Sequence, residues 1–121
     1  NIEKLTKIAK KFKLNLIEDA AEALGSTSNG RHVGTFGDIG VLSFNGNKII
    51  TSGGGGMLIT NNKKFAKKSM HLSTTAKKPH KWEYFHTEIG FNYRLPNINA
   101  ALGFSQLKKI KKYILLKRKL Y

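Results

Sequence analysis

The chain has 121 residues, with 22 lysines and arginines against 7 acidic residues, a net charge of +15 and no cysteine. This length suits one ordinary domain, the lack of cysteine excludes a disulfide framework, and no apolar run approaches the roughly 20 residues of a membrane helix. We therefore expect a cytoplasmic protein without a membrane partner.

A basic amphipathic helix is predicted over residues 2–12, where Ile2, Leu5 and Ile8 share one face. Its lysines, like those near the C-terminus, alternate with apolar residues at helical spacing, which is typical of a solvated helix face. The net charge therefore does not predict a nucleic-acid partner. A basic nucleic-acid-binding domain remains an alternative hypothesis, and it predicts tight binding that falls steeply with salt.

Three strands are predicted from short apolar runs, at residues 14–17, 39–44 and 56–60. The first of them is expected to be a buried parallel strand. It is followed by residues 20–24, which we expect to form a short helical turn. Further along, Asn29-Gly30 is the signature of a hairpin turn.

The C-terminal half is predicted to be helical apart from one long loop. Asn62 is expected to cap a helix that ends near Leu72. The segment from Asn97 to Tyr121 is expected to form one long helix. Between these helices, residues 73–96 are predicted to form a loop, and a loop of that length in a compact domain is usually functional or bound to a partner.

One lysine lies in a turn of small polar residues, Lys48 in Ser43-Phe44-Asn45-Gly46-Asn47-Lys48. Counting lysines alone would make it a surface residue, but Asp19 ends an upstream strand, where open α/β sheets bind ligands. Pyridoxal phosphate (PLP) needs this combination, because a lysine binds it as a Schiff base and a carboxylate holds its pyridine nitrogen protonated. From the residues alone, a helix N-cap explains Asp19 equally well.

Three blocks, in this order, resemble the DegT/DnrJ/StrS-type sugar aminotransferases. They are Glu18-Asp19-Ala20-Ala21-Glu22-Ala23-Leu24-Gly25, then Gly37 to Phe44 with Lys48 and Gly53 to Gly56, then Gly90-Phe91-Asn92-Tyr93-Arg94 with Asn99 to Gly103. The resemblance implies an α/β fold, part of a fold-type-I PLP aminotransferase large domain with a mixed, mostly parallel sheet flanked by helices. Residues 1–121 would be its second half, without the N-terminal part and the small C-terminal domain.

The resemblance also implies roles for single residues. Lys48 would be the Schiff-base lysine and acid–base group, Asp19 the partner of the pyridine nitrogen and Ser43 a phosphate ligand. Glu22 stands where the family often has Gln near the phenolic oxygen of PLP, and because an ionised Glu only accepts hydrogen bonds, a capping or ion-pair role stays open. Asn92 would reach the PLP phosphate of a neighbouring subunit, which implies a homodimer with shared active sites.

Simpler explanations exist for two of these residues: Ser43 could be a strand-end serine and Asn92 a turn residue. No metal site is expected, because the four histidines show no metal-ligand spacing.

The implied function is transfer of an amino group, from glutamate, to a nucleotide-linked keto-sugar. The stretch Ser73 to Lys77 with Pro79 to Tyr84 looks most like the subgroup acting on 4-keto-6-deoxy sugars, whose products enter surface glycans, including nonulosonic acids. Some relatives carry His in place of the lysine and dehydrate their substrate, so Lys48 favours amino transfer. The alternatives are a PLP-binding relative without transaminase activity and a fragment that is inactive alone.

Overall fold

The computed structural model describes residues 1–121. Four helices and five strands follow one another along the chain: α1 Ile2–Lys11, β1 Ile17–Asp19, β2 Thr27–Ser28, β3 Arg31–His32, β4 Ile39–Ser43, β5 Gly56–Ile59, α2 Lys63–Ser73, α3 Asn97–Leu107 and α4 Ile110–Lys119. The first helix is confirmed. The helix after Asn62 is also confirmed, and its N-cap is the Asn62 side chain, which accepts hydrogen bonds from the N–H groups of Lys64 and Phe65.

A three-stranded sheet in the order β1-β4-β5 carries the fold. β1 runs parallel to β4, with Asp19 opposite Val41, and β5 runs antiparallel to β4, with Gly56 opposite Ser43. The C-terminal ends of β1 and β4 and the start of β5 therefore meet at one edge, which we call the carboxyl edge.

The predicted hairpin is present as the separate pair β2–β3. Its two turn residues, Asn29 and Gly30, have φ angles of 47° and 78°. A type I′ turn requires positive φ at both positions, which Asn and Gly adopt most readily. Residues 20–24, by contrast, form a turn closed by one hydrogen bond, from Ala23 N–H to the Ala20 carbonyl at 2.9 Å, without becoming a helix.

The hydrophobic core lies on one face of the sheet. Its buried centre consists of Ala20, Leu42, Phe44 and Ile50. Because side chains alternate along a strand, Ile17 points to the opposite face and is 64 % exposed. The expectation of a buried strand at residues 14–17 is therefore wrong: β1 covers Ile17–Asp19, Leu14 is also exposed, and the face that Ile17 occupies has no cover within the chain.

The chain exposes more surface than its mass predicts. Its accessible area is 9580 Å², whereas a compact monomer of this mass exposes about 6,500 Å². Large apolar side chains are exposed on separate elements, including Leu5 on α1, Met57 on β5 and Ile98 on α3. Exposed apolar area on this scale is typical of surfaces that pack against further protein.

The C-terminal segment forms two helices instead of the predicted single helix. At the break, the Lys109 N–H bonds to the Gln106 carbonyl, three residues back, and Lys109 leaves helical geometry with φ −106° and ψ 5°. The bend places Ile110 and Tyr113 against the core, so tertiary packing overrides the continuous helical pattern. None of the four helices combines the length and apolar character needed to cross a membrane.

Candidate active site

Three of the predicted site residues lie at the carboxyl edge. Asp19 ends β1 and Ser43 ends β4, both on the face opposite the core. Residues 44–55, which we call the lysine loop, connect β4 to β5 at this edge and carry Lys48. Ligands of open α/β sheets bind beyond the carboxyl ends of the strands, so this edge is the candidate site.

The Lys48 side chain is shielded. It is only 12 % exposed, whereas every other lysine except Lys77 is exposed. Its Nζ donates a hydrogen bond to Oε1 of Glu22, which lies in the turn after β1. Of the roles predicted for Glu22, the structure shows the ion pair. Lys48 is thus not a solvated surface lysine, and its amine is in contact with the Glu22 carboxylate.

Asp19 has one occupied and one free carboxylate oxygen. Oδ1 accepts a hydrogen bond from the Ala21 N–H at 3.2 Å and closes the turn after β1, which matches the alternative capping role. Oδ2 makes no hydrogen bond within the chain, and the residue is exposed. Because a carboxylate can accept several hydrogen bonds, capping leaves Asp19 able to bind a protonated ligand nitrogen.

Ser43 and Asn92 lie in different parts of the fold. The Ser43 hydroxyl accepts a hydrogen bond from the Asn45 N–H at 3.3 Å and keeps its own proton for an anion. Asn92 instead forms a β-bridge with Thr74 at the end of α2. Its side chain makes no hydrogen bond within the chain, and none joins it to the other four predicted residues. Asn92 therefore has no hydrogen-bonded link to the site within one copy of the chain.

An ion-pair cluster on α2 anchors the segment that carries Asn92. Lys68 contacts the Glu88 carboxylate, and His71 Nε2 lies 3.6 Å from the other oxygen of that carboxylate. The hydrogen bond from Lys68 lowers the pKa of Glu88 below its ordinary value. Further along, the rings of Phe91 and Tyr93 stack with their centroids 5.1 Å apart. Backbone hydrogen bonds from Phe91 N–H to the Leu72 carbonyl at 2.7 Å and from Tyr93 N–H to the Ser73 carbonyl at 3.0 Å join the segment to the end of α2.

Glu18 is a buried residue of this region for which the sequence predicts no structural role. It is 5 % exposed. Its carboxylate accepts hydrogen bonds from Gly34 N–H at 2.7 Å and Gly37 N–H at 2.6 Å. The bonds hold the loop before β4 against the core face of the sheet. The pair of glycines three apart after an acidic strand end is the signal that could have indicated this contact.

Removal of the Glu18 carboxylate is expected to destabilise the fold. Glu18→Ala leaves two N–H groups without partners, so the free energy of unfolding should fall by about 2–3 kcal/mol. Glu18→Gln keeps one acceptor oxygen and should lose about half as much. Urea unfolding of the protein expressed from its complete reading frame measures both. Glu83→Ala, which removes an exposed carboxylate, is the control, and equal stability of E18A and wild type would contradict the expectation.

One large cavity lies outside the carboxyl edge. It has a volume of about 910 Å³ and lies between β5, α2 and the segment after Gly90, with a lining that includes Met57, Leu58, Met70 and Phe91. None of the five predicted site residues lines it. The lining of this cavity includes Arg94 but no lysine and no carboxylate, so it lacks the groups that a Schiff base and a protonated ring nitrogen require.

The side chains at the carboxyl edge fit PLP. The cofactor presents an aldehyde, a pyridine nitrogen and a phosphate. The edge offers a matching group for each: the shielded amine of Lys48, the free Oδ2 of Asp19 and the hydroxyl of Ser43. These side chains thus match the three functional groups of the cofactor, and further phosphate ligands would have to come from elsewhere.

Comparison with known proteins places the chain among aminotransferases. Residues 1–121 match the DegT/DnrJ/EryC1/StrS aminotransferase family. GDP-perosamine synthase of Escherichia coli O157:H7 is 44% identical over 120 residues, which cover 99% of this chain and 33% of the synthase.

Two solved structures have the same fold. Helicobacter pylori PseC, an aminotransferase involved in the biosynthesis of pseudoaminic acid, superimposes with a TM-score of 0.86 at 36% identity, over 92% of this chain and 30% of PseC. The E. coli GDP-4-keto-6-deoxy-D-mannose-3-dehydratase with bound hydrated PLP superimposes with a TM-score of 0.88 at 25% identity, over 98% of this chain and 35% of that one.

The chain spans about a third of the length of these relatives. The predicted fold class is confirmed. The chain has a mixed sheet flanked by helices, and it superimposes on known aminotransferases. Both the sequence match along the whole chain and the structural similarity indicate the same assignment. This chain belongs to the DegT/DnrJ/EryC1/StrS aminotransferase family.

Proposed function

We propose that this chain is part of a cytoplasmic PLP-dependent enzyme that transfers an amino group, from glutamate, to a nucleotide-linked keto-sugar in amino-sugar biosynthesis. The observation that carries the proposal is the shielded amine of Lys48 at the carboxyl edge, together with Asp19 and Ser43. Family membership supports amino transfer. The similarity to GDP-perosamine synthase and to PseC supports an amino-sugar product.

Each residue has one task in this proposal. Lys48 Nζ would hold the cofactor through its aldehyde, and its amine would afterwards move a proton between carbon atoms. Asp19 Oδ2 holds the proton on the pyridine nitrogen through a charge-assisted hydrogen bond. The Ser43 hydroxyl donates to the phosphate. When bound, PLP supplies an electron sink.

Glu22 has a task that follows from its contact with Lys48. The lysine amine must lose a proton before it can act as a nucleophile. The Glu22 carboxylate touches this amine, so in this proposal Glu22 is the ion-pair partner that Lys48 must leave before it binds the cofactor. This role differs from donation to the phenolic oxygen of PLP, for which an ionised carboxylate has no hydrogen.

We infer that Asn92 serves the site of a second copy, so that the active enzyme is a homodimer. Its side chain is exposed and has no hydrogen bond in its own chain, and its segment is anchored on α2 by the Lys68–Glu88 pair. Light scattering that finds a fully active monomer would contradict this inference.

We also propose that residues 1–121 are the second half of a PLP-binding large domain, completed by an N-terminal part and a small C-terminal domain. The chain's 9580 Å² of accessible surface and its match to about a third of each relative support this organisation. The chain alone would then be inactive, because its apolar faces and half of the pocket would lack their partners.

A dehydrating relative is the second candidate function. The E. coli dehydratase has the same fold over nearly the whole chain. The amine of Lys48 favours amino transfer over dehydration. Conversion of bound PLP to its amine form by glutamate separates the two, since a protein that binds PLP and fails this conversion belongs with the second candidate.

Borohydride reduction tests the proposal directly. The protein is expressed from its complete reading frame, purified with PLP, reduced and mapped by peptide mass spectrometry. We expect one reduced pyridoxyl group, on the peptide that contains Lys48. An unmodified Lys48 in a folded, PLP-saturated protein would overturn the proposal, and steeply salt-dependent nucleic-acid binding would then be the next function to test.

A further inference from the structure

The lysine loop has no regular secondary structure, and its two arms differ in burial. Asn45, Gly46 and Asn47 are exposed. After Lys48 the chain turns inward, so that Ile50 and Ser52 are 2 % and 1 % exposed. Lys48 therefore lies between an exposed turn and a buried arm, and the buried arm is what can fix the position of its backbone.

One face of α3 holds this buried arm. Gln106 Oε1 accepts a hydrogen bond from Thr51 N–H at 3.1 Å, and Gln106 Nε2 donates one to the Thr51 carbonyl at 2.7 Å. Asn99 Nδ2 donates to the Ser52 carbonyl at 2.6 Å. Gly103 lies between them, close to Ser52, where an added Cβ would be 3.5 Å from the serine Cβ. Spacings of four and three residues place all three on one helix face.

These amides are the polar contacts from outside the loop to the backbone of residues 49–55. The remaining backbone hydrogen bonds of this arm are internal to the loop, such as Ser52 N–H to the Phe44 carbonyl at 3.0 Å. Gln106 pairs with both backbone groups of Thr51, as a neighbouring strand would. It therefore restricts both the position and the rotation of the backbone at Thr51, three residues beyond Lys48.

We propose that Gln106 and Asn99 are positioning residues that hold the Lys48 amine in its reactive place; this inference rests on the proposed function of Lys48. Neither residue contacts Lys48, and both act through the Thr51–Ser52 backbone. A displacement of about 1 Å at a reacting atom can cost 100-fold in rate. Loosening the arm should therefore lower kcat, whereas KM should change little because no predicted substrate contact is removed.

Gln106→Met tests the proposal, since methionine matches the length of glutamine and removes both hydrogen bonds. In the protein expressed from its complete reading frame, we expect kcat for amino transfer to fall at least about tenfold with KM within about twofold. Amide hydrogen exchange of the peptide covering residues 49–53, measured without PLP, should become at least about tenfold faster. Ser105→Ala is the matched control, because its hydroxyl bonds only to the Leu102 carbonyl within α3.

A second variant guards against misfolding of the first. Gln106→Glu keeps the acceptor for Thr51 N–H and loses the donor to the Thr51 carbonyl, so exchange and kcat should change in the same direction as in Q106M. Asn99→Leu, which removes the hydrogen bond to the Ser52 carbonyl, should likewise lower kcat and make exchange faster.

The outcomes separate this inference from the function on which it rests. A wild-type protein without a borohydride label on Lys48 overturns both. A labelled wild type combined with unaltered kcat in Q106M overturns the positioning role alone, even where exchange becomes faster, because the amide would then only stabilise the loop. A fall in kcat at constant KM, with faster exchange at residues 49–53 and an unaltered Ser105→Ala control, supports it.

Discussion

Replacing Lys48 with Ala is expected to lower the rate of amino transfer by at least about 10⁴-fold. The reason is that one side chain supplies both the nucleophile and the acid–base group, and general acid–base catalysis by itself contributes 10²- to 10⁴-fold. The measurement is the half-reaction with glutamate, followed by the absorbance of the bound cofactor. The borohydride label on this peptide should also disappear.

The control for this variant is another lysine in an exposed setting. Lys64 lies in the first turn of α2 and is exposed, so Lys64→Ala should retain the wild-type rate. Added methylamine, which supplies a small external amine, should restore part of the K48A rate, and this rescue distinguishes a missing amine from a misfolded protein. A K48A protein that transfers amino groups at the wild-type rate would overturn the assignment of Lys48.

Replacing Gly40 with Ala is expected to lower the free energy of unfolding by at least about 4 kcal/mol. An added Cβ would overlap the Gly34 carbonyl oxygen and lie 2.7 Å from the Gly34 carbonyl carbon. Both atoms belong to the backbone, so the loop or the strand must move. Gly40 is also the partner of Glu18 in the sheet, and movement of Gly34 would break its hydrogen bond to that carboxylate.

Gly46 provides the matched control for the Gly40 variant. Nothing lies within 4 Å of a Cβ added at Gly46, and its turn is exposed. Gly46→Ala should therefore keep the wild-type midpoint in urea, whereas Gly40→Ala should unfold at much lower urea or fail to fold. Similar midpoints for the two variants would show that the contact between Gly40 and Gly34 is not needed.

Local features were predictable from the sequence because a few neighbouring residues decide them. The hairpin follows from the readiness of Asn29 and Gly30 to adopt positive φ, and the start of α2 follows from the capping side chain of Asn62. The family was predictable for a different reason. Three blocks occur in the expected order, and the whole chain matches that family.

Features that depend on distant contacts were not predictable in the same way. The break at Lys109 goes against a continuous helical pattern, and it depends on how Ile110 and Tyr113 meet the core. The burial of Glu18 depends on two glycine N–H groups 16 and 19 residues away. In each case the local sequence pattern indicates the tendency of the segment but does not specify which distant residues contact it.

The sequence by itself determined the family, the first two helices and the hairpin, and the candidate residues Asp19, Glu22, Ser43, Lys48 and Asn92. Only the tertiary structure decided how those residues are held. It paired Lys48 with Glu22, bridged Asn92 to Thr74, and joined Gln106 to Thr51 across 55 residues of sequence. The physical reason is that such contacts depend on strand order and helix packing, which the spacing of residues along the chain does not specify.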